Sequence, residues 1–205
     1  LSRVTGEARA LVYIHGFQSS PQSAKARQLA DGLGRAHPGV RLVAPALSFD
    51  PRDCMARLEQ ALDALAGVGV SKPLLVGSSM GGFYATAMAE RRQLRAVLVN
   101  PAVRPHELLA GHLGEELVNP HSGERHRLDG NDLDAFRALA VARPSRPQDL
   151  LVLLQTGDET LDWRQAAETY ADCSVVKLLG GNHSFENFED VFALIYRFAG
   201  LTPLP

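Results

Sequence analysis

Residues 77–82 read Gly-Ser-Ser-Met-Gly-Gly, which puts Ser79 at the centre of a G-x-S-x-G segment. That spacing has a mechanical use. A serine on a sharp strand-to-helix turn sits in strained backbone with its hydroxyl pushed clear of the sheet, and the residues two before and two after it must be small. An apolar run, Leu74–Val76, precedes the segment, and an Ala-rich stretch, Phe83–Arg92, follows it, so the flanks read as strand and helix. Ser78 is expected only to pack or turn.

A serine hydroxyl is too weakly acidic at neutral pH to attack unaided, so a base is needed. Histidines stand at positions 15, 37, 106, 112, 121, 126 and 183. Only His15 and His183 directly follow an expected strand, where the carboxyl ends of an open sheet gather a site. His183, in the turn Gly180–Phe185 before the last helix, is the expected base. The third group must fix the imidazole tautomer and stabilise its charged form. Asp158 and Asp162 both follow the fifth apolar run. Asp158 is closer to the sheet edge and is preferred. Asp162, just before Trp163, suits a helix N-cap, and Glu159 reads as a solvated neighbour. The oxyanion donors are expected to be the amides of Met80, directly after the nucleophile, and Phe17, in the loop after the first strand. The side chain of His15 is expected to order that loop.

These groups need a frame that brings distant strand ends together. Short runs rich in Val, Ile and Leu occur at Ala10–Ile14, Val40–Ala44, Leu74–Val76, Ala96–Val99, Leu150–Leu154 and Val175–Leu179. They lack a polar face, as strands buried on both sides do. Helical stripes lie between them. Met55, Leu58, Leu62 and Leu65 share one face after Pro51, and Phe188, Val191, Phe192, Ile195 and Phe198 share another near the end. Ser20-Pro21 leads into a further helix over Ala24–Ala36. Alternation of this kind predicts a doubly wound, mostly parallel α/β sheet of about six strands with right-handed crossovers. About fifty residues separate the fourth run from the fifth, more than a crossover needs. Residues 101–147 are therefore expected to form a small helical cap within one domain spanning 1–205.

Composition sets the outer limits. The chain has 205 residues, 45% of them hydrophobic and 21% charged, a balance that excludes a disordered or collagen-like chain. The apolar runs are strand-sized, so no membrane span is expected. The formal net charge of −2 comes with no basic stripe, against a nucleic-acid partner. Cys54 and Cys173 match no metal spacing and read as packing thiols in a reducing compartment. The start lacks both a signal-peptide pattern and an initiator Met, as in a trimmed or expressed segment, and a cytoplasmic location is the default. His121, Glu124, His126 and Asp129 lack a ligand spacing and read as a solvated loop, so no metal is expected. No phosphate-binding or dinucleotide fingerprint occurs, and no cofactor is expected. Trp163 and Tyr84 read as core or rim aromatics.

The order Ser79, Asp158, His183 is that of the α/β-hydrolases. YIHGFQSSPQSAKA, APALSFDP, LVGSSMGGFYA, NPAVRP, LLQTGDETLDWRQA and GGNHSFENFE span nearly the whole chain. On these stretches the sequence resembles, more narrowly, the small bacterial YqiA-type esterases. The resemblance implies a six-stranded α/β-hydrolase core and a serine esterase for short acyl esters, with Ser79, Asp158 and His183 in the matching positions. The substrate is expected to be a small-molecule ester or thioester; the oligomeric state is left open. A thioesterase or acyltransferase with the same triad is one alternative. A non-catalytic binding protein on this fold is another.

Overall fold

A computed structural model describes residues 9–201. The amino-terminal stretch read for a targeting signal lies almost wholly outside these residues. Six parallel strands form one sheet: β1 (Ala10–Ile14), β2 (Arg41–Val43), β3 (Leu74–Ser78), β4 (Ala96–Val99), β7 (Leu150–Gln155) and β8 (Ser174–Leu178). Their spatial order is β2-β1-β3-β4-β7-β8, with every neighbouring pair parallel. The six apolar runs all become strands, two with unchanged bounds and the others with ends shifted by one or two residues.

Side chains alternate along each strand, so the fully buried strands β1, β3, β4 and β7 send apolar residues into a core on each face. Leu11, Tyr13, Val76, Val97, Val99 and Leu153 point to the face covered by α1 (Ala24–Ala36) and α7 (Phe192–Phe198). Val12, Ile14, Leu75, Leu98, Val152 and Leu154 point to the face covered by α2 (Pro51–Gly67) and α3 (Met80–Arg92). Local chemistry sets the helix starts. Ser23 caps α1, and Asp50 caps α2 with Pro51 in its first turn. The final apolar stripe is helical throughout, but Phe188–Val191 winds as a tighter 3₁₀ turn before α7 begins. Among the described residues, no helix is long and apolar enough to cross a membrane.

The stretch between β4 and β7 departs from an all-helical expectation. It carries α4 (Pro105–Leu109) and α5 (Gly130–Leu139), but between them lie two antiparallel strands, β5 (Glu116–Val118) and β6 (Arg125–Arg127). Each has a single inward residue, Leu117 and His126, which face each other across the ribbon. Asp129 and Asp132 form a reciprocal capping box at the start of α5.

Register delivers the functional residues to one edge. Ile14 lies opposite Gly77, Ser78 opposite Val99, and Val99 opposite Leu153. The segments that follow these strands, starting at His15, Ser79 and Asn100, therefore emerge side by side. Strand order reverses between β1 and β3, where an open α/β sheet leaves a crevice.

Candidate active site

Ser79 joins β3 directly to α3, so the helix starts three residues earlier than its Ala-rich composition suggests. Its backbone, at φ 56° and ψ −122°, lies where a non-glycine residue is strained. The hydroxyl makes no capping bond to the helix, which leaves it for another partner. The flanking glycines are required by close approach. A Cβ on Gly77 would lie 2.3 Å from the Gly81 carbonyl oxygen, and one on Gly81 only 1.9 Å from that of Ile14. No side chain fits at either position without moving backbone.

The partner of the hydroxyl is His183, whose Nε2 lies 3.0 Å from Ser79 Oγ. Its Nδ1 lies 2.9 and 3.0 Å from the two oxygens of Asp158. The structure thus brings these three positions together. Asp162 is elsewhere: it caps α6 (Trp163–Thr169), its carboxylate accepting from the Arg164 amide at 3.0 Å.

Asp158 has a 2% exposed side chain, whereas that of His183 is 23% exposed. Burial pushes the Asp158 carboxyl up, but the bonds from His183 and from the amides of Leu161 and Thr160 outweigh it and hold the group below the ordinary carboxylate range. Asp158 is therefore ionised at neutral pH, and its charge favours a proton on Nδ1. That leaves the lone pair of Nε2 aimed at the serine.

A network that sequence reasoning did not find holds the His183 loop. Gln155, buried at the end of β7, accepts from the amides of Asn182 and Glu186 and donates to the Glu186 carbonyl at 2.7 Å. Asn100, buried at the end of β4, donates to the Asn182 carbonyl at 3.0 Å and accepts from the Gln155 amide. Glu159 is exposed, as expected, yet its carboxylate accepts from the His183 amide at 2.9 Å. These are positioning residues. The only sequence signal was their place at strand ends, since each acts on a segment at least 24 residues away.

On the opposite side, the β1 loop runs past the serine. His15 is buried and accepts from the Leu47 amide through Nε2, so its Nδ1 donates to the Gly16 carbonyl at 2.9 Å. Burial lowers its pKa against the pull of that carbonyl, and the ring stays neutral. It orders the loop, as expected. The amides of Phe17 and Met80 donate to no acceptor among the described residues. Phe17 packs edge-on against Phe49 at 5.2 Å, and Phe49 stacks on His126 of the β5–β6 ribbon. Asn119, in the ribbon's turn, donates to the Ser19 carbonyl and ties the ribbon to the same loop.

Two spaces adjoin Ser79. A cleft of about 430 Å³ runs from Ser79 and His183 to the start of α1, lined by Ser23, Lys25 and Gln28. A much tighter slot of about 10 Å³ lies under Phe17, between Leu47, Phe49, Met80 and Tyr84. The other polar candidates have separate roles. His126 bonds Asp132 at 2.7 Å, Asp129 caps α5, and Glu124 accepts from the Phe49 amide. Among the described residues, no three potential metal ligands gather. Cys54 is buried with a free thiol, Cys173 is half-buried, Tyr84 lies in the core, and Trp163 sits at its rim beneath Arg164 and Lys177.

A family model described as uncharacterised protein family UPF0227 matches residues 10–200. The chain belongs to the UPF0227 family. A UPF0227 protein of Yersinia pseudotuberculosis is 26% identical over 194 residues, covering 93% of this chain and 99% of the relative. Among solved structures, Est1E from Butyrivibrio proteoclasticus with bound ferulic acid superposes with a TM-score of 0.73 at 15% identity, covering 94% of this chain and 88% of that one. A monoacylglycerol lipase from Paleococcus ferrophilus gives 0.70 at 16% identity, covering 95% and 96%. This UPF0227 chain thus has the α/β-hydrolase fold, with its six parallel strands and flanking helices.

Proposed function

We propose that the protein is a serine hydrolase that cleaves short-chain acyl esters through an acyl-enzyme. The observation that carries this reading is the continuous chain from Ser79 Oγ through His183 to Asp158, at 3.0 and 2.9 Å. His183 takes the hydroxyl proton as Ser79 attacks the carbonyl, and the ionised Asp158 stabilises the imidazolium formed. The unengaged amides of Phe17 and Met80 receive the oxyanion; each such donor contributes about 3–4 kcal/mol to the transition state. His183 then protonates the leaving oxygen, and the same base activates the water that releases the acid. A monoacylglycerol lipase among the structural neighbours fits this reaction class.

The short-chain preference follows from how the two spaces flank the carbonyl. With its oxygen on the amides and its leaving oxygen facing His183 Nε2, the acyl carbon chain is directed away from His183, toward the slot under Phe17. About 10 Å³ is roughly the room one water needs. A methyl group fits there with little adjustment, and longer chains must displace Phe17, Phe49 or the ribbon at residues 116–127 that backs them. Residues 101–147 act on this reading as a cap that limits the acyl group.

A series of p-nitrophenyl esters from acetyl to decanoyl tests it. The expected result is a kcat/KM that peaks at two to four carbons and falls about tenfold or more by eight, since a hydrophobic pocket discriminates at roughly this level per misfitting group. A kcat/KM that rises through eight and ten carbons would rule out the slot as the acyl site.

A further inference from the structure

The cleft on the His183 side is lined by a lysine that makes no ion pair among the described residues. Lys25 stands in the first turn of α1 and lines the space that opens onto Ser79 and His183. Its ammonium donates to the Ser184 carbonyl at 2.8 Å, one residue beyond the base. An ammonium carries three donors, so two are left over. No carboxylate lies within ion-pair distance of it among the described residues. The carboxylates around the cleft have other placements. Asp158 is committed to His183, Glu159 to the His183 amide, and the exposed Glu186 makes no ion pair with Lys25. Burial lowers the Lys25 pKa, an effect Asp158 partly offsets from a distance.

Leaving a half-buried charge without a counter-ion is unfavourable, and side chains of this kind are normally paired. The surroundings suit an anion in other ways. The hydroxyl of Ser23 and the amide of Gln28 share the cleft wall, and the first turn of α1 contains no acidic residue to occupy its positive end. Because the leaving oxygen of an ester must face His183, the leaving group is the part of the substrate that enters this cleft.

We infer that Lys25 is a specificity-determining residue that binds an anionic substituent, a carboxylate or a phosphate, on the leaving-group side of the substrate. The inference rests on the serine-hydrolase reading above. Together the two spaces describe a substrate with a small apolar acyl group and a polar, negatively charged alcohol. The cleft has room for a ring-sized alcohol bearing such a group, and the bond to Ser184 leaves the ammonium near the edge of the space and close to the base.

The test compares phenyl acetate with 4-acetoxybenzoate and with 4-acetoxyphenyl phosphate, on wild type, Lys25→Met and Lys25→Arg. The wild type is expected to favour both charged esters about tenfold or more in kcat/KM, mainly through KM. Lys25→Met should abolish that preference, and Lys25→Arg should retain most of it. The ratio of charged to neutral turnover is the quantity read, because losing the bond to Ser184 can lower both rates. A carboxylate preferred over a phosphate, or the reverse, identifies which anion the cleft is shaped for. Equal turnover of neutral and charged esters by wild type, or a preference that survives in Lys25→Met, overturns the inference. Labelling of Ser79 by a fluorophosphonate, run alongside, separates the two readings. A labelled enzyme without charge preference sinks only the role of Lys25, whereas an unlabelled, inactive protein removes the hydrolase reading and this inference with it.

Discussion

Ser79→Ala is expected to lower kcat on acetyl esters by about 10⁵–10⁶-fold while leaving the fold intact, as loss of a triad nucleophile does elsewhere. Both halves of that expectation come from the same geometry. The hydroxyl contacts His183 Nε2 at 3.0 Å and makes no bond that caps α3, so its removal costs the helix nothing. The backbone at residue 79 is held by its amide on the Val99 carbonyl and by its own carbonyl, which accepts from Gly82, Phe83 and Ala102. Alanine keeps all four bonds. Thermal melting of the variant should stay close to wild type, and turnover measured with p-nitrophenyl acetate should fall to the level left by the two oxyanion amides. A variant that keeps a tenth of the activity would show that another group attacks.

The second large effect separates two aspartates four residues apart. Asp158→Asn is expected to reduce kcat by about 10⁴-fold, because an amide in place of the carboxylate favours the wrong imidazole tautomer and no longer balances the imidazolium. Asp162→Ala should leave kcat within about twofold, and lower stability by about 0.5–2 kcal/mol through the lost cap of α6. Rates and melting curves on the two variants thus move in opposite patterns. Strong loss of turnover in Asp162→Ala with an active Asp158→Asn would reverse the assignment.

The choice between those aspartates marks where sequence reading reaches its limit. Apolar runs without a polar face fit strands of a parallel sheet, so the six strands were legible from Val, Ile and Leu, including β2 and β8 at the partly exposed edges. Ser79 was legible because its neighbours must be small: Gly77 answers to atoms of α3 that the turn itself brings close, and Gly81 to the Ile14 carbonyl of the adjacent strand β1. His183 followed from its place after the last strand. Asp158 could be preferred over Asp162 only by nearness to the sheet edge, since what decides it is a bond to a residue 25 positions away.

Other features carry no local signal. Asn100 and Gln155 are single polar residues at the ends of apolar strands, and their work on the 182–186 loop exists only once β4 and β7 are paired. The β5–β6 ribbon was missed because each strand is three residues long with one inward side chain. Glu-Leu-Val and Arg-His-Arg show no alternation that a pattern could detect. Its position is set by distant partners, through Phe49 on His126 and Asn119 on Ser19. Lys25 likewise reads as an ordinary helix lysine until α1 is placed against the His183 loop.

The central claim is that Ser79 is a nucleophile activated by His183. Intact-mass and peptide mass spectrometry after exposure of the folded protein to a fluorophosphonate tests it most directly. One adduct per chain on Ser79, lost in Ser79→Ala and strongly slowed in His183→Ala, is the predicted result. A folded protein that stays unmodified, or that is modified at another serine such as Ser78, would contradict it.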